Sequence, residues 1–256
     1  MNLGLEGKRF VIGGGSRGLG RAVAEALVSE GARVLLVARD EDSLKRTAAQ
    51  LGEGAYPLVA DLSTPDGADL VAAAVGAAFG AVDGVLVNTG GPPAGLALDL
   101  DEEQWQHSFD LLLGMPLRLL RGLVPQLADG SSILFVTSSS VRQPIPGLDS
   151  SNVLRPAVAA LVKTLARELA PRTRVNSIAP GRIDTDRVRS LDRIRAQAEG
   201  IQLDEQVARA AAAIPLGRYG EPAELGRVGA FLLSPAASYV TGAAVQVDGG
   251  SVTAVP

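Results

Sequence analysis

Short apolar runs, many of them rich in β-branched residues, alternate along this chain with longer Ala/Leu-rich segments of helical period. The runs predict strands at Arg9–Ile12, Arg33–Ala38, Ala55–Val59, Gly84–Asn88, Ile133–Thr137, Arg174–Ile178 and Ala244–Val247. The segments between them predict helices at Gly18–Glu30, Glu41–Leu51, Asp66–Phe79, Asp101–Leu127, Asn152–Ala170 and Ala223–Leu233. Such regular alternation predicts an α/β fold: a doubly wound, mostly parallel seven-stranded sheet with helices on both faces. Runs such as Val34-Leu35-Leu36-Val37 are apolar throughout rather than at every second position, which suits strands covered on both sides.

One stretch breaks the rhythm. Residues 183–218 form a long insertion after the sixth predicted strand, with two helical-looking pieces around Gly200. In open α/β sheets ligands bind beyond the carboxyl ends of the strands, so an insertion there is placed to act as a substrate lid. An ordinary helical excursion is the alternative. No Pro/Gly/Ser-rich linker and no internal repeat divides the 256 residues, so a single domain, 1–256, is expected.

Composition narrows the function classes. Hydrophobic residues make up 46% and charged residues 20%, and the net charge is −4, which gives no basic surface for nucleic acid. No apolar run reaches the length of a membrane span. Met1–Arg9 lacks the pattern of a signal peptide, so a cytoplasmic location is expected. There is no cysteine and a single histidine, His107, which removes thiolate chemistry, Cys-based metal sites and histidine clusters.

The sharpest local signal follows the first strand. Gly13-Gly14-Gly15-Ser16-Arg17-Gly18-Leu19-Gly20 runs directly into a helix. Glycines permit positive φ and close backbone approach, and the helix start offers free N–H groups to a pyrophosphate. In this strand–turn–helix setting the turn is a Rossmann-type dinucleotide site. The second strand ends Val37-Ala38-Arg39 without the acid that usually holds an NAD ribose. Arg39 and Arg17 could bracket a 2′-phosphate, so NADP(H) is the expected cofactor and NAD(H) the lesser one. Both arginines read equally as solvated surface charges.

Taken together these motifs resemble the short-chain dehydrogenase/reductase family along nearly the whole chain. Gly14-x3-Gly18-x-Gly20 fits its glycine spacing, with Gly13 where a Thr is common. Asp61-Leu62 resembles the pair that contacts adenine, and Asn88-Thr89-Gly90-Gly91 is an altered form of the motif after the fourth strand. Pro180, Gly181, Ile183 and Thr185 resemble the segment that holds the nicotinamide. The resemblance therefore implies cofactor contacts from Gly14, Ser16, Arg17, Gly18, Leu19, Arg39, Asp61, Leu62, Asn88, Gly90, Pro180, Gly181, Ile183 and Thr185.

The catalytic positions depart from the family. Ser138 matches its serine, but Ser151 stands where Tyr is usual, Arg155 where Lys is usual, and Leu112 where an Asn is usual. The run Ser151-Asn152-Val153-Leu154-Arg155 resembles a divergent branch similar to β-ketoacyl-acyl-carrier-protein reductases. A serine hydroxyl is a far weaker acid than tyrosine, and arginine is a poor proton donor. One reading keeps an NADP(H)-dependent oxidoreductase acting on a carbonyl or acyl substrate. Ser138 and Arg155 polarise the carbonyl, and a water relayed through Ser151 brings the proton. The other reading is a non-catalytic NADP(H)-binding sensor or structural protein. Arg142 is a further candidate for an acidic group or a surface charge. The family resemblance also implies a homo-tetramer through the two long helices.

Overall fold

The computed structural model describes residues 2–255. Its strands are β1 (Arg9–Gly13), β2 (Arg33–Ala38), β3 (Ala55–Val59), β4 (Val82–Val87), β5 (Leu127–Val136), β6 (Thr173–Pro180) and β7 (Ala244–Val247). They form one sheet in the order β3-β2-β1-β4-β5-β6-β7, with every neighbouring pair parallel. The chain thus winds outward from β1 in one direction and from β4 in the other. That reversal lies between β1 and β4, where an open α/β sheet leaves a crevice for a ligand.

Apolar residues on both strand faces divide the core into two layers. Val11, Leu35, Val37, Val85, Ile133, Phe135 and Val175 point into one cluster with the helices α3 (Pro65–Ala78), α5 (Met115–Leu123) and α6 (Asp149–Glu168). The alternate residues Phe10, Ile12, Val34, Leu36, Leu86, Leu134 and Ile178 point the other way. There they meet α1 (Gly18–Ser29), α2 (Glu41–Leu51) and α9 (Pro222–Leu233). Successive side chains leave a strand on opposite faces, so a doubly covered sheet needs unbroken apolar runs.

Two expectations need correction. The helix predicted over Asp101–Leu127 is three pieces: α4 (Glu102–Phe109), a π-helical turn at Asp110–Gly114, and α5, which tightens to a 3₁₀ turn at Val124–Gln126. Pro116 has no N–H for the Leu112 carbonyl, so the ladder widens there, and Pro125 ends the helix in the same way. The strand predicted at Ile133–Thr137 begins earlier, at Leu127. Val82 pairs with Leu127 and Gly84 with Ser132, so β5 spends extra residues in an irregularity around Asp129-Gly130. That polar pair hid the first part of the strand.

The insertion 183–218 contains α7 (Asp186–Glu199) and α8 (Leu203–Ala212), separated by Gly200 at φ +67°. Thr185 caps α7 by accepting from the Val188 N–H. A buried cluster holds this insertion to the body. Asp192, fully buried on α7, accepts from Arg182 Nη1 at 2.5 Å and from the Tyr219 hydroxyl at 2.9 Å. A backbone bridge between Ile183 and Gly220 lies beside it.

Candidate cofactor site and active site

The turn after β1 is held from two sides before any ligand arrives. Gly15 N–H donates to the Val37 carbonyl, and Thr47 Oγ1 donates to the Ser16 carbonyl from α2. Gly14 and Gly18 have φ of +62° and +56°, which side chains beyond glycine rarely adopt. A Cβ on Gly20 would lie 2.3 Å from the Gly14 oxygen, so the helix packs directly onto the turn. The start of α1 carries no side-chain cap and no acid in its first turn. Its free N–H groups and positive dipole end are the donors a pyrophosphate requires.

Of the other cofactor candidates, Asn88 and Thr185 reach this turn. Asn88 donates through Nδ2 to the Gly13 carbonyl at 3.2 Å and packs over Gly14. The Thr185 methyl lies 3.9 Å from the Cβ position of Gly18, so the end of β6 reaches the start of α1. Pro180 and Gly181 continue β6, with Gly181 N–H donating to Val247, and Ile183 is buried. Leu19 packs against the second core layer and Leu62 belongs to the first. Arg17 and Arg39 are exposed, and Arg39 Nη1 stands 3.9 Å from Asp61. Hydrogen bonds from Ser63 hold the Asp61 carboxyl below the usual carboxylate range.

Beyond the turn, β5 and α6 bring the candidate catalytic residues together in part. Ser151 and Arg155 lie one turn apart on α6, and both are buried. Arg155 Nη1 donates to the Val136 carbonyl at 2.7 Å and Nη2 to the Gly90 carbonyl at 3.4 Å. Its Nε has no partner, and none of the described carboxylates pairs with it. Burial, and next the nearby charge of Arg187, push this guanidinium down to about 10. It therefore remains a cation at neutral pH.

Ser138 and Ser151 do not meet directly. Ser138 Oγ accepts from the Ser140 N–H, capping a short 3₁₀ turn, whereas Ser140 Oγ lies 3.2 Å from Ser151 Oγ. Ser140 escaped the sequence reading because Ser138-Ser139-Ser140 looks uniform until the turn fixes which hydroxyl faces α6. Arg187, on α7, was also missed. It donates to the Pro92 carbonyl at 2.9 Å and lies over Gly91. Leu112 sits in the π-helical turn but is buried in the core. His107 and Arg142 are exposed. Asn152 is absorbed structurally, clasping Ile145 through its N–H and its carbonyl.

A parallel doubly wound sheet with an uncapped glycine turn at its switch point defines a Rossmann-type dinucleotide-binding protein. The family described as enoyl-(acyl carrier protein) reductase matches residues 14–252. The chain belongs to the short-chain dehydrogenase/reductase family of oxidoreductases. It is 31% identical to the 3-oxoacyl-[acyl-carrier-protein] reductase FabG of Vibrio cholerae, over 97% of this chain and 98% of that one. Two solved structures are close in fold. L-sorbose reductase of Gluconobacter frateurii, complexed with NADPH and L-sorbose, superposes with a TM-score of 0.94 at 33% identity over 100% of both chains. An NADPH-bound short chain oxidoreductase of Pseudomonas aeruginosa, described as containing an atypical catalytic center, gives 0.87 at 30% identity over 97% and 98%. No helix among the described residues is long and apolar enough to cross a membrane.

Proposed function

We propose that this protein is an NADP(H)-dependent reductase of a carbonyl substrate, similar to 3-oxoacyl-acyl-carrier-protein reductases, with an atypical catalytic site. The observation that carries this reading is the buried, carboxylate-free cation of Arg155, held between the Val136 and Gly90 carbonyls. The glycine turn, with its positive-φ backbone and uncapped helix start, fits a dinucleotide pyrophosphate. NADPH in the neighbouring structures and the absence of an acid at Ala38 support NADP(H), with Arg17 and Arg39 toward its 2′-phosphate.

The bound cofactor would supply the hydride. The chain's own residues stabilise the oxygen that gains charge and deliver its proton. Arg155 acts as a fixed positive charge in a desolvated site, where a preorganised cation stabilises an oxyanion far better than in water. Ser138 donates a hydrogen bond to the same oxygen, and Ser151 carries a proton from water, with Ser140 as its hydrogen-bonding neighbour. Gly14, Ser16, Gly18, Leu19, Asp61, Leu62, Asn88, Gly90, Pro180, Gly181, Ile183 and Thr185 complete the cofactor contacts in this proposal. Residues 183–218 cover the substrate as a lid, and α4–α5 and α6 form the interfaces of a homo-tetramer. A cytoplasmic location belongs to the same proposal.

A second reading, a non-catalytic NADP(H) binder, is favoured by one observation. No tyrosine is free to replace the missing acid: Tyr219 is engaged by Asp192 and Arg182, Tyr56 lies under Arg33, and Tyr239 is fully exposed. The experiment is NADPH consumption across ketones and 3-oxoacyl thioesters, beside a titration of NADPH binding. Turnover that falls in Arg155→Ala supports the reductase. Silence with every substrate, alongside micromolar NADPH binding, selects the binder.

A further inference from the structure

Arg155 and Arg187 converge on three consecutive residues. Arg155, buried on α6, holds the Gly90 carbonyl; Arg187, exposed on α7, holds the Pro92 carbonyl and lies against Gly91. None of the described carboxylates is within ion-pair distance of either guanidinium. Asp186, beside Arg187 in the chain, is exposed and makes no ion pair with it, and two other acids of the insertion are already engaged. Asp184 binds Arg189 through both oxygens, at 2.7 and 2.8 Å, and Asp192 binds Arg182 and Tyr219. Arg155 Nε is buried without any partner.

Two like charges placed together, one of them desolvated, are unfavourable unless an anion completes the site. Burial lowers the proton affinity of Arg155, and the nearby charge of Arg187 lowers it further. Arg189, Arg195, Arg209 and Arg218 of the insertion have acidic partners, which Arg187 and Arg193 lack among the described residues. The unbalanced pair sits instead against the Gly90–Pro92 segment.

We propose that Arg187, above the buried charge of Arg155, binds an anionic oxygen group, a carboxylate or a phosphate, carried by the substrate itself. The proposal rests on the reductase reading and names the substrate class for that site: an acidic carbonyl compound. Arg187 makes the contact, since its planar guanidinium suits a two-oxygen anion, and Arg155 supplies positive potential beneath it.

The test pairs charged probes with neutral analogues: acetoacetate with its methyl ester, and dihydroxyacetone phosphate with dihydroxyacetone. Affinity for the NADP⁺ complex is read by calorimetry, and NADPH binding is titrated separately by fluorescence. One charged probe is expected to bind about tenfold tighter than its neutral partner, a gap that narrows with added salt. Arg187→Gln should abolish most of that preference, Arg187→Lys should restore part of it, and NADPH affinity should stay within about threefold. The better charged probe tells carboxylate from phosphate. Equal affinity within both pairs, with NADPH binding intact, overturns the anion site and leaves the reductase reading standing. So does an Arg187→Gln protein that loses NADPH affinity while keeping the charged preference, since the arginine then serves the cofactor. Absence of NADPH binding in the unaltered protein removes the reductase reading and this inference together.

Discussion

The glycine turn and the residues gathered by β5 and α6 both contact the Asn88–Gly90 segment, yet they are made of different material. The turn is backbone: Gly14 and Gly18 at positive φ, Gly20 pressed against the Gly14 carbonyl, and the free N–H groups of α1. The second group is side chain: Ser138, Ser140, Ser151 and the buried Arg155. A site made of backbone tolerates little change, because an added Cβ collides with atoms that cannot move. A site made of side chains can exchange its chemistry while the strands beneath it stay packed. On the proposed reading, that difference lets the family fold persist around Ser151 and Arg155.

The contrast can be broken most severely on the backbone side. Gly20→Val would drive a side chain into the Gly14 oxygen, 2.3 Å from the new Cβ. NADPH affinity should fall by about 100-fold or more, measured by fluorescence titration. An unchanged dissociation constant would show that the turn is not the cofactor cradle. On the side-chain side, Arg155→Ala should lower kcat by about 100-fold while NADPH affinity changes by less than about tenfold. Equal losses in both would mean that the two regions are not separable.

The insertion offers a third comparison, because its anchor is charged where the sheet's is apolar. Asp192→Asn leaves Arg182 and Tyr219 without their carboxylate and should cost about 2 kcal/mol, a few degrees in Tm by calorimetry. Tyr219 is pushed up to about 12, first by burial and then by its hydrogen bond to Asp192. The folded state favours the neutral phenol, so its contribution is complete below the ordinary tyrosine value near ~10 and is lost as pH rises through 12. Tyr219→Phe should therefore flatten the fall in stability across that alkaline window, with little effect at neutral pH. A stability profile unchanged by Tyr219→Phe would remove the tyrosine from this account.

Smaller effects refine the boundary between the two regions. Arg39 is exposed and only loosely paired with Asp61, at 3.9 Å, which leaves it free for a phosphate. Arg39→Ser should weaken NADPH by about tenfold and leave NADH nearly unchanged, read from the two dissociation constants. Ser140→Ala should lower turnover by about threefold with a stability change under about 1 kcal/mol, since it removes one hydrogen bond to Ser151. A larger loss than that of Ser151→Ala would make Ser140 the more important hydroxyl.

The order of strands and helices was legible in the chain because both faces of the sheet are covered. Val34-Leu35-Leu36-Val37 must be apolar throughout when Leu35 and Val37 enter one layer and Val34 and Leu36 the other. The glycine turn was legible for a related reason: positive φ and close packing restrict what residues can stand there. The break after Phe109 was visible as Gly114-Met115-Pro116, but helical periodicity alone overrides such a signal. The early start of β5 was hidden by Asp129-Gly130, which bulges out of register with β4.

By itself, the sequence determined the family, the doubly wound fold, the glycine turn after β1 and the presence of Ser151 and Arg155 four residues apart. Those features are local: they depend on spacing, on glycine at fixed backbone positions and on residue identity within a recognisable motif. Only the tertiary structure decided that Ser140, rather than Ser138, meets Ser151, and that Arg187 approaches Arg155 over the Gly90–Pro92 loop. Those contacts join residues from different elements, brought together by the packing of α6 and α7 around the ends of the strands. No spacing along the chain encodes that meeting, because it is set by how separate helices lie across one sheet.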